Sequence, residues 1–324
     1  MSLESLLVSL SDGKFHSGDE LGRALGVSRT AIWKQLKKVG ELGIPMTSVK
    51  GKGYCIDGGL DLLVEEDVRA HLSAEARELV AQIEVMGVVD STNVRAMEKA
   101  QLGKKGYVCT AEQQTAGKGR RGRKWASPYG SNLYLSVLWE FDGGASSLEG
   151  LSLAVGVAVV DALAKAGVDD VQLKWPNDVL YQRRKMAGVL LEVTGDAEGP
   201  CQVVIGIGLN VKMPESASTS IDQPWVDVTS ITEGDSRRSL LLALLLNELM
   251  PLLERFGAQG FGAFRQRWQD LDVYSGQEVV LKYGQETIHG VAESVDDTGA
   301  ILLRTAEGLR SFNGGEVSLR PVTT

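Results

Sequence analysis

Gly117-Lys118-Gly119-Arg120-Arg121-Gly122-Arg123-Lys124-Trp125 sets five cations and three glycines in eight positions ahead of a tryptophan. Each glycine costs a helix about 1 kcal/mol relative to alanine, so the stretch reads as a flexible, strongly positive loop. Runs of strand-forming residues at 107–111 and 133–139 bracket it, which puts the loop between two strands. Formally, Gly117-x-Gly119-x-x-Gly122 satisfies the dinucleotide fingerprint, but that motif must open a helix, and Trp125-Ala126-Ser127-Pro128-Tyr129-Gly130 opens none. A P-loop fails because Arg123-Lys124 follows Gly122 where Lys-Ser/Thr is needed. Two readings remain: a solvated basic loop or second nucleic-acid patch, and a loop that closes over an anionic ligand. Arginine forks and backbone N–H groups suit phosphate and carboxylate together. Carboxylate attack on the α-phosphate of ATP would need such shielding, because the two anions repel.

Outward from the loop, further strand-like runs fall at 85–89, 171–175, 189–193 and 203–207, with helices at 151–166, ended by Gly167, and at 240–256. Such a mixture indicates an α/β or α+β body. Asp90-Ser91-Thr92-Asn93 stands at a strand-to-helix junction, as a helix cap or as neutral hydrogen-bonders for a polar ligand. Lys174-Trp175-Pro176-Asn177-Asp178 ends a strand in a proline-fixed turn that presents an amide and a carboxylate, by itself an ordinary Asx turn. Lys185 opens an apolar strand containing Gly188, and Gly206-Ile207-Gly208-Leu209-Asn210 allows close backbone approach to a ligand, or merely close packing. Residues 216–223 read as a mobile loop. After about Asp270 come short strands at 278–283, 287–295, 300–305 and 309–312, with turns at Gly284, Asp296-Asp297-Thr298-Gly299 and Gly314-Gly315, which predicts a small β-barrel.

The first 55 residues carry charge +3 and the remainder −11, so a small module suited to a polyanion is joined to an acidic body. The module reads as a helix near residues 3–10, a second from Gly18, a turn at Gly26-Val27 and a third helix capped by Ser28. Leu21, Ala24, Leu25, Val27, Ile32, Leu36 and Val39 recur at helical spacing and predict one shared core. Arg29, Thr30, Trp33, Lys34 and Lys37 then project from the other face as a basic recognition surface in a helix-turn-helix running from Gly18 to Lys37. Two β-like runs around Lys50-Gly51-Lys52-Gly53 form a candidate wing. The competing reading is a three-helix packing module whose charges are only solvated.

The chain's 324 residues suffice for two or three domains. Cys55, Cys109 and Cys201 lie far apart with no C-x-x-C pair, and three histidines are too few for a zinc module, so no metal site of Cys or His is expected. A reducing compartment follows. The apolar runs 151–160 and 240–246 fall short of the roughly 20 residues of a membrane span. The opening MSLESLLVSLSDGKF lacks the basic start of a secretory signal, so the cytoplasm is expected.

Taken together and in order, DSTN, AEQQTAGKGRRGRKW, KWPNDV, KMAGVLLE and GIGLN resemble the biotin–protein ligases, and the preceding helix-turn-helix resembles that of their bifunctional class, which is also the biotin operon repressor. The resemblance implies an α+β multidomain chain. Its parts would be a winged helix-turn-helix over residues 1–60, a ligase domain related to class II aminoacyl-tRNA synthetases over 67–270, and an SH3-like barrel over 271–324. It implies synthesis of biotinyl-5′-AMP from biotin and Mg-ATP, then transfer of biotin to a lysine of the biotin carboxyl carrier protein of acetyl-CoA carboxylase. It also implies a homodimer, promoted by the adenylate, that binds operator DNA of biotin synthesis genes.

By resemblance, Ser91, Thr92, Asn93 and Gln114 surround biotin's ureido ring, and Lys118, Gly119 and Arg120 close on the acyl-adenylate. Lys185 lies by the biotin carboxylate and phosphate, so Lys185 and Arg120 are the implied catalytic pair. Gly188, Gly206 and Gly208 permit tight approach of the ligand. Trp125 stacks on adenine, with Gly117, Arg121, Arg123, Lys174, Asn177, Asp178 and Asn210 on the nucleotide side. The C-terminal barrel, with Arg320, assists with ATP and carrier docking. Lys118 stands where the family usually has arginine, which keeps charge and loses the planar fork. The rival readings are an effector-binding transcription factor without catalysis and a lipoate-type acyl ligase.

Overall fold

In a computed structural model of the chain, the described residues are 2–321 except 101, 102, 104, 196–198, 220, 233, 235, 236, 284, 285, 315 and 316. Helix α1 (Leu3–Leu10) is followed by α2 (Gly18–Ala24), which starts at a capping box: Ser17 Oγ accepts the Glu20 N–H, and the Glu20 carboxylate accepts the Ser17 N–H. Ser28 caps α3 (Arg29–Glu41) by accepting the Ala31 N–H at 3.3 Å. A hairpin of β1 (Met46–Val49) and β2 (Gly53–Ile56) completes the winged helix, with Met46 paired to Ile56 and Lys50 and Lys52 at its tip. Leu6, Leu7, Leu10, Leu21, Ile32, Leu36 and Val39 form its core. Ala24, expected in that core, is exposed, because α2 ends there and its last turn faces solvent. Tyr129 joins that core from outside the module, reaching in from the far end of the segment that begins with the basic loop.

Two short helices, α4 (Glu65–Ala70) and α5 (Ala74–Leu79), lead into the central sheet. Its strands are β3 (Gln82–Val89), β4 (Tyr107–Gln114), β5 (Leu133–Phe141), β6 (Val171–Lys174), β7 (Asp178–Tyr181), β8 (Arg184–Gly195) and β9 (Cys201–Leu209), in the order β3-β4-β5-β9-β8-β7-β6. Only β3 and β4 run parallel. Helix α6 (Thr92–Ala100) crosses between those two, as a parallel pair requires. Helix α7 (Leu151–Lys165) is apolar nearly all round because it is buried, ending at Gly167 in the left-handed region. The stretch Ser146–Lys165 reaches a membrane span's length, with a mean hydropathy of 1.7, longer than the apolar run expected from the sequence, yet its helix is packed between the sheet and α10. After the single turns α8 (Glu215–Ser218) and α9 (Thr229–Thr232) come α10 (Arg238–Gln259) and α11 (Gly262–Leu271).

Arg238, fully buried at the start of α10, fastens three distant parts of the chain. Its guanidinium donates to Glu112 on β4 at 2.7 Å, to the Asp61 carbonyl at 2.6 Å and to the Asn132 carbonyl ahead of β5 at 2.7 Å, while its N–H donates to the Asp61 carboxylate. Glu112 spends its other oxygen on the Leu63 N–H at 2.6 Å. The peptide that leaves the winged helix is thereby bolted to the central sheet.

The last strands, β10 (Glu278–Tyr283), β11 (Glu286–Val295), β12 (Ile301–Thr305), β13 (Gly308–Phe312) and β14 (Val317–Pro321), form an antiparallel sheet in the order β13-β12-β11-β10-β14. This five-stranded antiparallel sheet occupies the stretch where a small β-barrel was expected, and among the described residues no ladder joins β13 to β14. Strand β14 is missing from the sequence reading. The turn residues Gly284 and Gly315, and Ser220 of the loop expected to be mobile, lie outside the described residues.

Removing one partner of a buried, fully hydrogen-bonded pair leaves a desolvated charge. Arg238→Ala is therefore expected to cost about 3–5 kcal/mol, read as a lowered urea midpoint.

Candidate active site and nucleic-acid interface

The carboxyl ends of β4 and β6 and the starts of α6 and β8 open onto one cavity of about 420 Å³. Nine cationic side chains line it: Lys118, Arg120, Arg121, Arg123, Lys124, Lys174, Arg183, Lys185 and Arg320. Against them stand two carboxylates, Asp178 and Asp222. The loop is a closed hairpin rather than an open, flexible span: Lys118 bridges Lys124, Gly119 N–H donates to the Arg123 carbonyl at 2.7 Å, and Trp125 N–H to the Gly117 carbonyl at 2.9 Å. Its reversal is a single 3-10 turn over Arg120–Gly122, with Arg121 and Gly122 at positive φ.

Arg120 reaches across the cavity, donating to Asn177 Oδ1 at 3.1 Å and to the Gly314 carbonyl at 3.3 Å. Asn177 in turn donates to the Val189 carbonyl at 2.8 Å. The β6–β7 hairpin pairs Lys174 with Asp178, whose carboxylate meets Lys174 Nζ at 3.6 Å and Lys185 Nζ at 2.5 Å. Lys185 and Gly188, three apart, would point to opposite faces of a regular strand. A bulge between β7 and β8, where Val179 pairs with Ala187 but Leu180 with Lys185, inserts Met186 and turns both to the cavity. The lysine's backbone is held by the 222–224 loop, its N–H donating to the Pro224 carbonyl at 2.9 Å. Burial lowers the Lys174 ammonium from its ordinary value, with Asp178 opposing. Burial likewise lowers the Arg120 guanidinium, Asp178 again opposing and Arg121 and Arg123 adding repulsion. An arriving anion would meet cations short of counter-charge.

At the other end the cavity is neutral and polar. Gln114 Oε1 accepts the Thr92 N–H at 2.9 Å and lies 3.1 Å from the Thr92 hydroxyl, while Gln114 Nε2 donates to Ser127 Oγ at 3.1 Å. Ser91, Thr92 and Asn93 are all buried. Asn93 lines the cavity but spends its amide elsewhere, donating to Glu192 at 2.7 Å and standing 2.6 Å from Ser136 Oγ, so it anchors α6 to the sheet.

Gly188, Gly206 and Gly208 line the cavity, and protein side chains pack closely against each. A Cβ on Gly206 would overlap Asn93, one on Gly208 would overlap the Trp125 indole, and one on Gly188 would press on Lys185. Trp125 thus lies across the strand floor with Lys185 Nζ 5.4 Å from its ring centre. Its indole N–H is buried without a hydrogen-bond partner among the described residues. Gly117 and Asn210 do not line the cavity. A Cβ on Gly117 would stand 2.7 Å from Ser127 Oγ, and Asn210 donates to the Lys185 and Val226 carbonyls at 3.3 and 3.2 Å, bracing the strand that carries the lysine.

On the winged helix, Arg29, Thr30, Trp33, Lys34 and Lys37 are all exposed on α3, opposite buried Ile32, Leu36 and Val39. Lys37 Nζ sits 4.0 Å from the Trp33 ring centre, and Arg29 faces Asp19 at 3.7 Å. Lys50 and Lys52 project from the hairpin tip.

Residues 85–210 match the biotin/lipoate A/B protein ligase family, 274–320 the biotin protein ligase C-terminal domain and 3–55 a helix-turn-helix domain. The chain is 38% identical over 315 residues to the bifunctional ligase/repressor BirA of Escherichia coli, covering 97% of this chain and 96% of that one. The chain belongs to the biotin/lipoate protein ligase family. The biotin–[acetyl-CoA-carboxylase] ligase of Mycobacterium tuberculosis, a family relative, is 34% identical over 73% of this chain and 88% of its own. A solved biotin protein ligase from Aquifex aeolicus, in complex with biotin and ATP, superposes with a TM-score of 0.63 at 32% identity, covering 74% of this chain and 99% of that one.

Beyond the motifs that mark the family, the cavity uses residues that sequence reasoning missed. Ser127, Ser136 and Glu192 complete its hydrogen bonds, and Arg183 and Tyr274 line it from a hairpin turn and from the start of the C-terminal sheet. Glu192 closes the KMAGVLLE stretch but was given no role there, and the others are isolated residues inside unremarkable runs, with no local signal. Gly206→Ala should push Asn93 off Glu192 and cost about 1–3 kcal/mol, seen as a lowered thermal midpoint.

Proposed function

We infer that this chain is a biotin–protein ligase that forms biotinyl-5′-AMP from biotin and Mg-ATP, passes biotin to a lysine of a biotin carboxyl carrier protein, and represses biotin synthesis genes. The observation that carries the ligase reading is the joining, in one cavity, of a neutral hydrogen-bonding end at Ser91, Thr92 and Gln114 to an end with nine cations and two carboxylates. A ureido ring needs neutral donors and acceptors. A carboxylate attacking a phosphate needs positive charge where the two anions meet.

Lys185, aimed inward by the bulge, stabilises charge as the mixed anhydride forms, and Arg120 closes the basic hairpin over it. Asp178 fixes the Lys185 ammonium, while Lys174, Arg121 and Arg123 neutralise phosphates. Trp125 offers its ring to adenine and its unpartnered N–H to the ligand. Gly117 and Asn210 serve at one remove, supporting the loop and the lysine strand. A mixed anhydride hydrolyses in contact with water, so a hairpin closed across the cavity protects it. Mg2+ enters with ATP. Three units divide the chain near residues 60 and 270, and the three free, buried cysteines suit the cytoplasm.

Repression needs the winged helix, whose exposed basic face on α3 suits the major groove and whose hairpin lysines suit phosphates. A homodimer would present two such faces to two half-sites. Past Val189, whose N–H and carbonyl are both taken by Asn177, β8 from Leu190 to Gly195 pairs with β9 alone among the described residues, leaving an edge that a second copy or the carrier protein could extend. Biotinyl-AMP, held beneath the basic hairpin, would favour that dimer.

Lys185→Ala should lower biotin-dependent ATP–pyrophosphate exchange at least a hundredfold while leaving operator binding by the preformed adenylate complex within severalfold; undiminished exchange would contradict its role. In a gel shift, wild-type chain should bind operator DNA at least tenfold more tightly with biotin and ATP than without them. Equal affinity would reject adenylate-driven repression.

A further inference from the structure

A second cavity, of about 340 Å³, lies behind Arg120. It shares a wall with the first, made by Arg120, Trp175, Pro176, Asn177, Val189 and Leu190. The Arg120 guanidinium spans that wall through its bonds to Asn177 and to the Gly314 carbonyl. Beyond it Leu148, Leu153 and Leu191 give the lining an apolar strip beside Ser152 and the glycines 150, 299 and 314, with exposed Glu149 on one side and exposed Thr298 and Asn313 from loops of the C-terminal sheet on the other. Among the described residues, Glu149 is its one carboxylate and Arg120 its one cation.

We propose that this cavity is the channel by which the acceptor protein's lysine reaches the acyl-adenylate. The proposal rests on the ligase reading and adds a separate route for the second substrate. A lysine side chain is an ammonium on a four-carbon apolar stem. Glu149 attracts the ammonium at the rim, and the leucines and Trp175 receive the stem. Further in, desolvation against the leucines and the Arg120 charge both disfavour the protonated amine, so it arrives as the neutral nucleophile. Attack then forms one C–N bond and breaks the acyl C–O bond, with AMP leaving. The ammonium loses one proton before attack and one after it, both to water. Arg120, on the shared wall, faces adenylate on one side and arriving amine on the other. The C-terminal loops at Thr298 and Asn313 thereby wall the route of the acceptor.

Two exposed positions outside the adenylate cavity test the route. Asn313→Trp narrows the channel and Glu149→Lys reverses its rim charge. Each variant, checked for an unchanged melting temperature, is loaded with biotin and Mg-ATP, and single-turnover transfer is followed to a carrier domain and, separately, to n-butylamine. Both variants should form biotinyl-AMP at the wild-type rate. Asn313→Trp should slow transfer to both acceptors at least tenfold, and Glu149→Lys should slow both severalfold. Wild-type aminolysis by butylamine in both variants would overturn the channel, including the case where carrier transfer alone slows, which would mark a docking surface instead. A wild-type chain that forms no biotinyl-AMP would overturn the ligase reading itself, and the channel with it.

Discussion

Two anions that must react repel each other before they meet, and a chain of net charge −8 can bring them together only by gathering its cations in one place. Nine cationic side chains against two carboxylates around a single cavity meet that requirement. The concentration holds because the cations come from rigid positions: a hairpin loop locked by its own backbone bonds, a β-hairpin that sets Lys174 against Asp178, and a bulged strand that aims Lys185. One carboxylate, Asp178, touches both lysines, which restrains them without cancelling the field.

The rest of the molecule keeps that arrangement in register. Residues 117–130 run from the basic hairpin through Ser127, bonded to Gln114, to Tyr129, buried in the core of the winged helix. Arg238 and Glu112 clamp the outgoing peptide of the winged helix to the strand that carries Gln114. Strand β14 contributes Leu319 and Arg320 to the cavity, Tyr274 joins them from the turn ahead of β10, and the Gly314 carbonyl receives Arg120. DNA-binding face, ligand cavity and C-terminal sheet are thus joined by a few short, buried connections.

Most of this was legible where the signal is local. Helices α1 to α3 followed from apolar spacing, and the cap of α3 from the hydroxyl at Ser28, whereas the capping box at Ser17 was not read. The basic loop and the DSTN, KWPND and GIGLN clusters could be read because each packs its functional residues within a few positions. What could not be read depends on contacts far apart in sequence. Glu112 and Arg238 are 126 residues apart, and Asn93 and Glu192 are 99 apart. The glycine floor was legible only in part, because a glycine signals a close approach without saying what approaches: Gly188, Gly206 and Gly208 line the cavity, and Lys185, Asn93 and Trp125 pack against them. The bonds of the Asn210 amide to the Lys185 and Val226 carbonyls were likewise illegible, since an amide near a ligand and an amide bracing a strand look alike in sequence. The insertion of Met186 leaves no compositional trace, yet it brings Lys185 and Gly188 to one face.

The central claim is that the neutral end of the cavity selects biotin and the cationic end activates it for transfer. Incubation of the purified chain with Mg-ATP, a carrier domain and labelled biotin, with labelled lipoate as the control, tests it most directly. The account predicts one biotin per carrier domain, dependent on ATP, and no transfer of lipoate. Transfer of lipoate at a comparable rate, or no ATP-dependent transfer of biotin, would contradict it.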